Sequence, residues 1–287
     1  MLALAPRVLD VVWEAVEPLL PEPPPDTHPL GCHRRRLPDR ACFEGILFRL
    51  VTGCSWAVAG GLGKGGETTL RRRRDEWLRA GVFSRLVEAA LDAYDRVIGL
   101  DLSDVAIDAS QHKAPVGGPG TGPNHRDRGK LGWKWSMATD ARGIPVGWTV
   151  AAANHHDLTL LDDTLDAVDA RGLELELGRV HLDRGYDFPS VRAGLAELGL
   201  DATIPSKRRV KKKRADRRAP HVSLGLRWPI ERSNSWLTNF GQLRRSTDRK
   251  MVHRELALDV AVALIIIVKL VKWHRRYGAV IWREDQA

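Results

Sequence analysis

Val105-Ala106-Ile107-Asp108 and Val180-His181-Leu182-Asp183-Arg184-Gly185-Tyr186 are two short apolar runs, each closed by an aspartate. Runs of this length bounded by turn residues read as buried strands, and the acids then stand where the strands leave the core. A third acid, Glu231, follows Trp228-Pro229-Ile230, where proline suits the first turn of a helix. Carboxylates so distant in sequence converge only where the two strands are neighbours and the helix lies across them. Three hard oxygen donors in that arrangement suit divalent-metal chemistry on phosphates.

Working outward, Val105 to Ala109, Trp133 to Thr139, Pro145 to Ala151, Val180 to Leu182 and Ala202 to Ile204 read as strands. The turn Asp140-Ala141-Arg142-Gly143 joins the second to the third. Helical patterns at Leu158 to Ala170 and Ser190 to Leu198 fall between the later strands. Three strands in succession, followed by alternation of helix and strand, predict an α/β fold: a ribonuclease-H-like mixed sheet with flanking helices. Two insertions interrupt it. Gly117 to Gly132, rich in glycine, proline and charge, reads as a mobile loop beside the first aspartate. Lys207 to Arg218 holds nine basic residues and one acid with no apolar period, which fits a phosphate-binding arm and excludes a core element.

Ahead of the sheet, Val8 to Leu20 has helical apolar spacing and stops at Pro21-Glu22-Pro23-Pro24-Pro25, the start of a stiff linker near 21–38. A second helix places Cys42, Ile46, Leu47 and Leu50 on one face. The glycine-rich stretch 60–66 then breaks the pattern, and a third helix capped by Thr68 or Thr69 carries Leu70, Trp77 and Leu78. Two helices flanking a glycine-rich turn, the second bearing Arg71, Arg72, Arg73 and Arg74, fit a helix-turn-helix unit contacting DNA phosphates. A solvated face is the simpler account of such a run, but four consecutive arginines surround the helix and cannot all face water if Trp77 is buried. The expected division is therefore a helical DNA-binding domain over 1–100 and a catalytic domain over 101–287. The latter includes the basic insertion 207–218 and a C-terminal helix.

The balance of 45 Lys and Arg against 36 Asp and Glu gives a net charge of +9 and points to a polyanionic partner, nucleic acid above all. No basic amphipathic helix beside a lipid signal supports a membrane surface. The apolar run Val260 to Val268 is less than half a membrane span, and Asp10, Glu14 and Glu17 interrupt any secretion signal. A cytoplasmic protein is expected. Cys32, Cys42 and Cys54 lack metal-ligand spacing and read as reduced thiols.

The motifs Gly53-Cys54-Ser55-Trp56, Arg72 to Trp77, Asp108-Ala109-Ser110, Asp127-Arg128-Gly129-Lys130 and Gly132-Trp133-Lys134 occur in that order. They are followed by Asp140 to Pro145, Asn154-His155-His156-Asp157, Asp183 to Asp187, Ile204-Pro205 and Arg227 to Arg232. The ordered series resembles the DDE transposases of bacterial insertion sequences in the IS4/IS5 group (IS5-like), over nearly the whole chain. The resemblance implies Asp108, Asp183 and Glu231 as catalytic acids holding two Mg²⁺ ions, with Mn²⁺ as a substitute, and Arg227 as the arginine four before the glutamate. Leu224 and Thr238 stand where an extended Tyr-Arg-Glu-Lys signature would have Tyr and Lys.

The DNA-binding residues expected beyond the helical unit are Lys207, Arg208, Arg209, Lys211, Lys212, Lys213, Arg214 and Arg227. Asn154 and Asp157 either shape the loop after the third strand, the favoured role, or touch the metal site from beyond its direct ligands, and Asp187 is assigned to starting the next helix. The implied activity is cleavage at element ends and joining of the 3′-OH to target DNA. Its implied partners are double-stranded DNA, as terminal inverted repeats and target, and further copies of the chain in a homodimer or larger assembly. Two other readings use the same residues: a decayed or domesticated DNA-binding regulator, and a ribonuclease-H-like nuclease without strand transfer.

Overall fold

A computed structural model describes residues 2–23, 36–173, 176–206 and 227–284, with the side chains of 64 and 279–284 outside that description. The basic arm Lys207 to Arg218, Cys32 and most of the proline-rich linker lie outside the described residues. The chain divides into two compact units. One comprises Leu100–Trp236 with Asp248–Met251; the other comprises Met1–Gly99, Leu237–Thr247 and Val252–Ala287.

The first of these is built on six strands: β1 (Asp104–Lys113), β2 (Gly122–Asn124), β3 (Lys130–Thr139), β4 (Pro145–Ala152), β5 (Arg179–His181) and β6 (Asp201–Thr203). The order across the sheet is β4-β3-β1-β5-β6. The pairs β4–β3 and β3–β1 are antiparallel, and β1–β5 and β5–β6 are parallel. This is the ribonuclease-H-like arrangement expected from the sequence. Helices α6 (Leu161–Asp169) and α7 (Pro189–Glu197) supply Leu161, Leu165, Val168 and Leu195 to a core that also holds Val105, Ile107, Ala138, Val146, Val180 and Leu182. Each such side chain withdrawn from water contributes roughly 1.5–3 kcal/mol, so the two helices cannot leave that face cheaply.

The alternation within β1 follows from this. Val105 and Ile107 point into the core shared with α6 and α7, which turns Asp108 to the opposite face. The stretch expected to be a mobile loop is partly ordered. Its β2 pairs with the start of β3, through Gly122 with Gly132 and Asn124 with Lys130. The glycines 117, 118 and 120, all at positive φ, form the turns before it.

The other unit is helical: α1 (Pro6–Val16), α2 (Asp39–Thr52), α3 (Trp56–Ala59), α4 (Glu67–Arg79) and α5 (Val82–Ile98). Helix α4 begins one residue before the expected cap at Thr68, on Gly66, with no side-chain cap. Pro189 and Pro6 both sit at first-turn positions, where a missing N–H costs nothing.

The expected inclusion of the C-terminal helix in the catalytic domain is corrected here. Helix α9 (Gly241–Arg244) and all but the first residue of α10 (Met251–Glu284) belong to the unit of the N-terminal helices. Backbone approach is one reason: a Cβ on Gly241 would lie 2.4 Å from Gly53 N and 2.5 Å from the Thr52 carbonyl carbon. Arg49 Nη2 also donates to Thr247 Oγ1 at 2.9 Å. The segment of α10 from Leu256 to Ile267 is buried almost all round, which a helix achieves only inside a bundle. Among the described residues no helix is long and apolar enough to cross a membrane.

Candidate active site and nucleic-acid interface

The parallel pairing of β1 with β5 sets Asp104 opposite Arg179, Val105 opposite Val180 and Ala106 opposite His181. This pairing stops two residues short of Asp108, which lies at the fifth position of the ten-residue β1, and of Asp183, which lies two residues beyond the end of β5; the charge of Asp183 acts on Asp108. Asp108 Oδ1 accepts from Ala109 N at 2.9 Å. Burial pushes the Asp108 carboxyl up to about 6; its own backbone hydrogen bond and Arg227 oppose the shift, while Asp183 and Asp157 add to it. Desolvation outweighs the attraction of the guanidinium, as it does for carboxylates withdrawn from water without a close partner.

Asp183 caps the short turn Arg184–Tyr186, its Oδ1 accepting from Gly185 N at 2.6 Å. Glycine is required at 185, because a Cβ there would meet Asp183 Oδ1 at 2.6 Å. Asp187 is engaged differently. Its Oδ1 accepts from Arg192 Nε and Nη2 at 3.1 and 2.8 Å, which fixes α7, whose cap is Phe188 rather than Asp187.

Glu231 lies in the first turn of α8 (Trp228–Thr238). Asn234 Oδ1 accepts from Trp135 Nε1 at 2.8 Å, and Ser233 Oγ donates to the Gly143 carbonyl in the β3–β4 turn and to Pro229 O. Gly143, at φ 76°, leaves room for this: a Cβ would lie 2.9 Å from both Pro229 O and Ser233 Oγ. Arg227 Nη2 is 3.6 Å from Glu231 Oε1 and 4.0 Å from Asp108 Oδ2, and so stands between the two acids. Glu231 is 61% exposed. Among the described residues no three His, Cys, Asp or Glu side chains are close enough to hold a metal ion. Of the three acids expected to converge, Asp108 feels the charge of Asp183, and Arg227 stands between Asp108 and Glu231.

The donor chemistry nonetheless fits a hard divalent cation. Two carboxylates near one another, one destabilised as an anion by burial and by its neighbours' charge, are relieved by a dication. Asp108 and Asp183 are the two acids that present oxygen donors of this kind.

Two features escaped the sequence reading. Lys134, expected only as part of a motif, lies in β3 and is 2% exposed; its Nζ donates to Asp157 Oδ1 and to His155 O, both at 2.6 Å. The signal was its place in Trp133 to Thr139, where every residue is buried. Tyr186 packs in the core with its hydroxyl beside Ser136 but outside hydrogen-bonding alignment. Burial, then the charges of Asp157, Asp108 and Asp183, push its phenol above the usual range.

In the helical unit the arginine run splits. Arg71 and Arg72 face water, and Arg71 pairs with Glu67. Arg73 is 4% exposed and lies 3.1 Å from Asp39, 3.5 Å from Glu76 and 3.3 Å from the Leu37 carbonyl. Arg74 is 7% exposed, bonded to Asp75 Oδ1 at 2.9 Å and seated over the Trp56 ring. The expectation that all four arginines contact DNA is corrected for these two, because α4 buries Leu70 and Trp77 and carries 73 and 74 inward on the same side. Lys207, Arg208, Arg209, Lys211, Lys212, Lys213 and Arg214 lie outside the described residues.

A mixed sheet in this order, with an aspartate within β1, a second just beyond its parallel neighbour β5 and a glutamate on a helix tied to β3, defines a ribonuclease-H-like protein with an acidic site. The chain belongs to the family described as the transposase DDE domain, which it matches over residues 99–266. Residues 8–87 match a second family, described as a putative transposase of the IS4/5 family.

A putative transposase for insertion sequence element IS402 from Burkholderia cepacia is 38% identical over 141 residues, 47% of this chain and 62% of that protein. The chain thus spans about three fifths of that relative's length. An insertion element IS402 protein of the same organism is 38% identical over 112 residues, 38% of this chain and 74% of its own length. Among solved structures, a Mos1 transposase paired-end complex with left transposon end aligns over 90% of this chain and 82% of that one, at 12% identity and a TM-score of 0.32.

Proposed function

We propose that this protein is an active, metal-dependent transposase that binds the terminal inverted repeats of an insertion sequence, cleaves at the element ends and joins the freed 3′-OH to target DNA. The observation that carries the reading is the placement of Asp108 within β1 and of Asp183 just beyond its parallel neighbour β5, with Arg227 poised between Asp108 and Glu231. Asp108, Asp183 and Glu231 would hold two Mg²⁺ ions, or Mn²⁺ in their place. When bound, the ions supply a deprotonated water and stabilise charge on the leaving oxygen.

The chain's own groups do the rest. Arg227, drawn by a DNA phosphate, leaves its carboxylate partners and clamps the strand through a charge-assisted fork. The core beneath Asp108 excludes water and fixes its carboxylate against rotation. Arg71 and Arg72 bind phosphates along the duplex from α4, and the basic residues Lys207 to Arg214 supply further phosphate contacts. Two ends are processed together by a homodimer or larger assembly in the bacterial cytoplasm, at the nucleoid.

The test is cleavage of supercoiled plasmid with and without a matched inverted-repeat end, in Mg²⁺. End-dependent nicking followed by strand joining is expected. Binding without nicking would leave a regulator, and nicking that ignores the end would leave a nuclease.

A further inference from the structure

Between β2 and β3 the chain exposes Arg126, Arg128 and Lys130 within a few residues, and the acidic site uses none of them. We propose that this turn is a second DNA-binding surface, on the sheet unit itself, that grips backbone phosphates of the duplex without reading its sequence. The inference rests on reading DNA as the substrate.

The turn is firmly built. Asn124 is 4% exposed; its Oδ1 accepts from Arg126 N at 2.9 Å and its carbonyl accepts from Gly129 N at 2.9 Å. One turn of 3-10 helix, His125–Asp127, fits between these two bonds. The strands below are seated as closely. A Cβ on Gly122 would lie 1.8 Å from Asn154 Oδ1, and one on Gly132 would lie 2.6 Å from His112 O, so neither position has room for a side chain.

Two observations then point to an anion. The first is charge. Asp127 is the acid of the turn, and Lys113 lies 3.5 Å from it. Among the described residues Arg126, Arg128 and Lys130 have no acidic partner. Three like charges held this close repel one another, which opposes folding until an anion offsets them. The second is the backbone. Arg128 stands at φ 56° and ψ 38°, the one non-glycine residue at positive φ among the described residues. Glycine occupies that region without strain, and the exposed arginine side chain adds no packing to compensate. Strain kept on a side chain with no partner in the fold marks a functional contact.

The position suits a duplex. β1 carries Asp108 and runs on to Lys113, about 17 Å further at the usual strand rise, and the turn stands at that end of the β1–β3 ladder. At about 3.4 Å per nucleotide this is about five nucleotides, within one duplex held at Asp108. Arg and Lys on an exposed turn meet phosphate oxygens, which carry no sequence information.

The test is fluorescence anisotropy of the full chain with an inverted-repeat duplex and with a random duplex of equal length, from about 50 to 200 mM salt, alongside thermal melting. The triple variant Arg126→Ala, Arg128→Gly, Lys130→Ala is expected to weaken both duplexes alike, roughly tenfold or more at low salt, and to reduce the slope of log affinity against log salt by about 2 to 3. Arg128→Gly alone should reduce the slope by about 0.9 and, by relieving strain, keep the melting temperature at or above wild type. Arg128→Lys keeps the charge and should keep the slope. A structural role gives the reverse, a lower melting temperature with an unchanged slope. If the triple variant does not fold, Arg128→Gly carries the test. An unchanged slope in a folded variant would overturn the proposal and leave the turn a solvated face. Loss of inverted-repeat binding alone, with the random duplex unaffected, would overturn it in favour of base reading. If wild-type protein binds neither duplex, the DNA reading itself falls, and this inference with it.

Discussion

Two polar segments of this chain look equally functional in sequence, and folding treats them in opposite ways. The parallel pairing of β1 and β5 runs to within two residues of Asp108 and Asp183, so charges of one sign are brought near one another. The arginines 71–74 are spread around α4, so half of them meet water and half meet acids and an aromatic ring. Neighbouring parallel strands concentrate like charge, which is costly to fold and useful for a cation. A helix disperses it, and the inward members become structural. Clustering in sequence is therefore a weaker guide to a site than register in space.

The comparison can be broken most sharply at the acids. Asp108→Asn and Asp183→Asn are each expected to lower end cleavage by orders of magnitude while inverted-repeat binding persists in a gel-shift assay. Near-normal cleavage by either variant would remove that residue from the site and leave the register without a purpose.

Next in size is the inward half of the arginine run. Arg73→Ala removes the buried partner of Asp39 and Glu76, which keep Arg36, and should destabilise the helical unit by about 1–2 kcal/mol, read by urea unfolding. If that variant melts as wild type but fails to bind DNA, Arg73 is a contact residue and the division of the run is wrong.

A third expectation concerns pH. The Asp108 carboxyl is raised to about 6 in the fold, from its ordinary value of 3.8. The native state therefore holds its proton more tightly than the unfolded chain does. The stability this provides is complete below the unfolded value and is lost as pH rises through about 6. The loss is on the order of 2 kcal/mol, and Asp108→Asn should abolish that slope between pH 4 and 6, checked by denaturant titrations at each pH. A slope that persists in the variant assigns the proton to another group.

The smallest effect is expected on the outward arginines. Arg72→Ala should change stability by less than about 0.5 kcal/mol, weaken DNA binding modestly and reduce the slope of log affinity against log salt by roughly 0.9. An unchanged slope would show that Arg72 touches no phosphate.

The strand acids were legible because a buried strand segment and the polar residue it leads into leave a short, local pattern. Val105 to Asp108 carries its own alternation, and Val180 to Asp183 ends at a glycine that its aspartate requires. The grouping of α10 was not legible, because an apolar helix states that it is buried and not against what. Its placement depends on the approach of Gly53 and Gly241, whose backbones meet only once both turns exist. Lys134 was visible as a charge inside an apolar run, but its partner lies 23 residues on, across a strand and a loop.

The sequence by itself determined the class of fold, the two apolar strand segments that lead into Asp108 and Asp183, and the basic character of α4. Each of these follows from local periodicity and from residue types whose cost of burial is intrinsic. Tertiary structure alone decided that Arg227 stands between Asp108 and Glu231, that Arg73 and Arg74 turn inward and that Lys134 holds Asp157. Ion pairs form between side chains brought together by the packing of distant elements, and neither partner's local sequence records which opposite charge that packing will deliver.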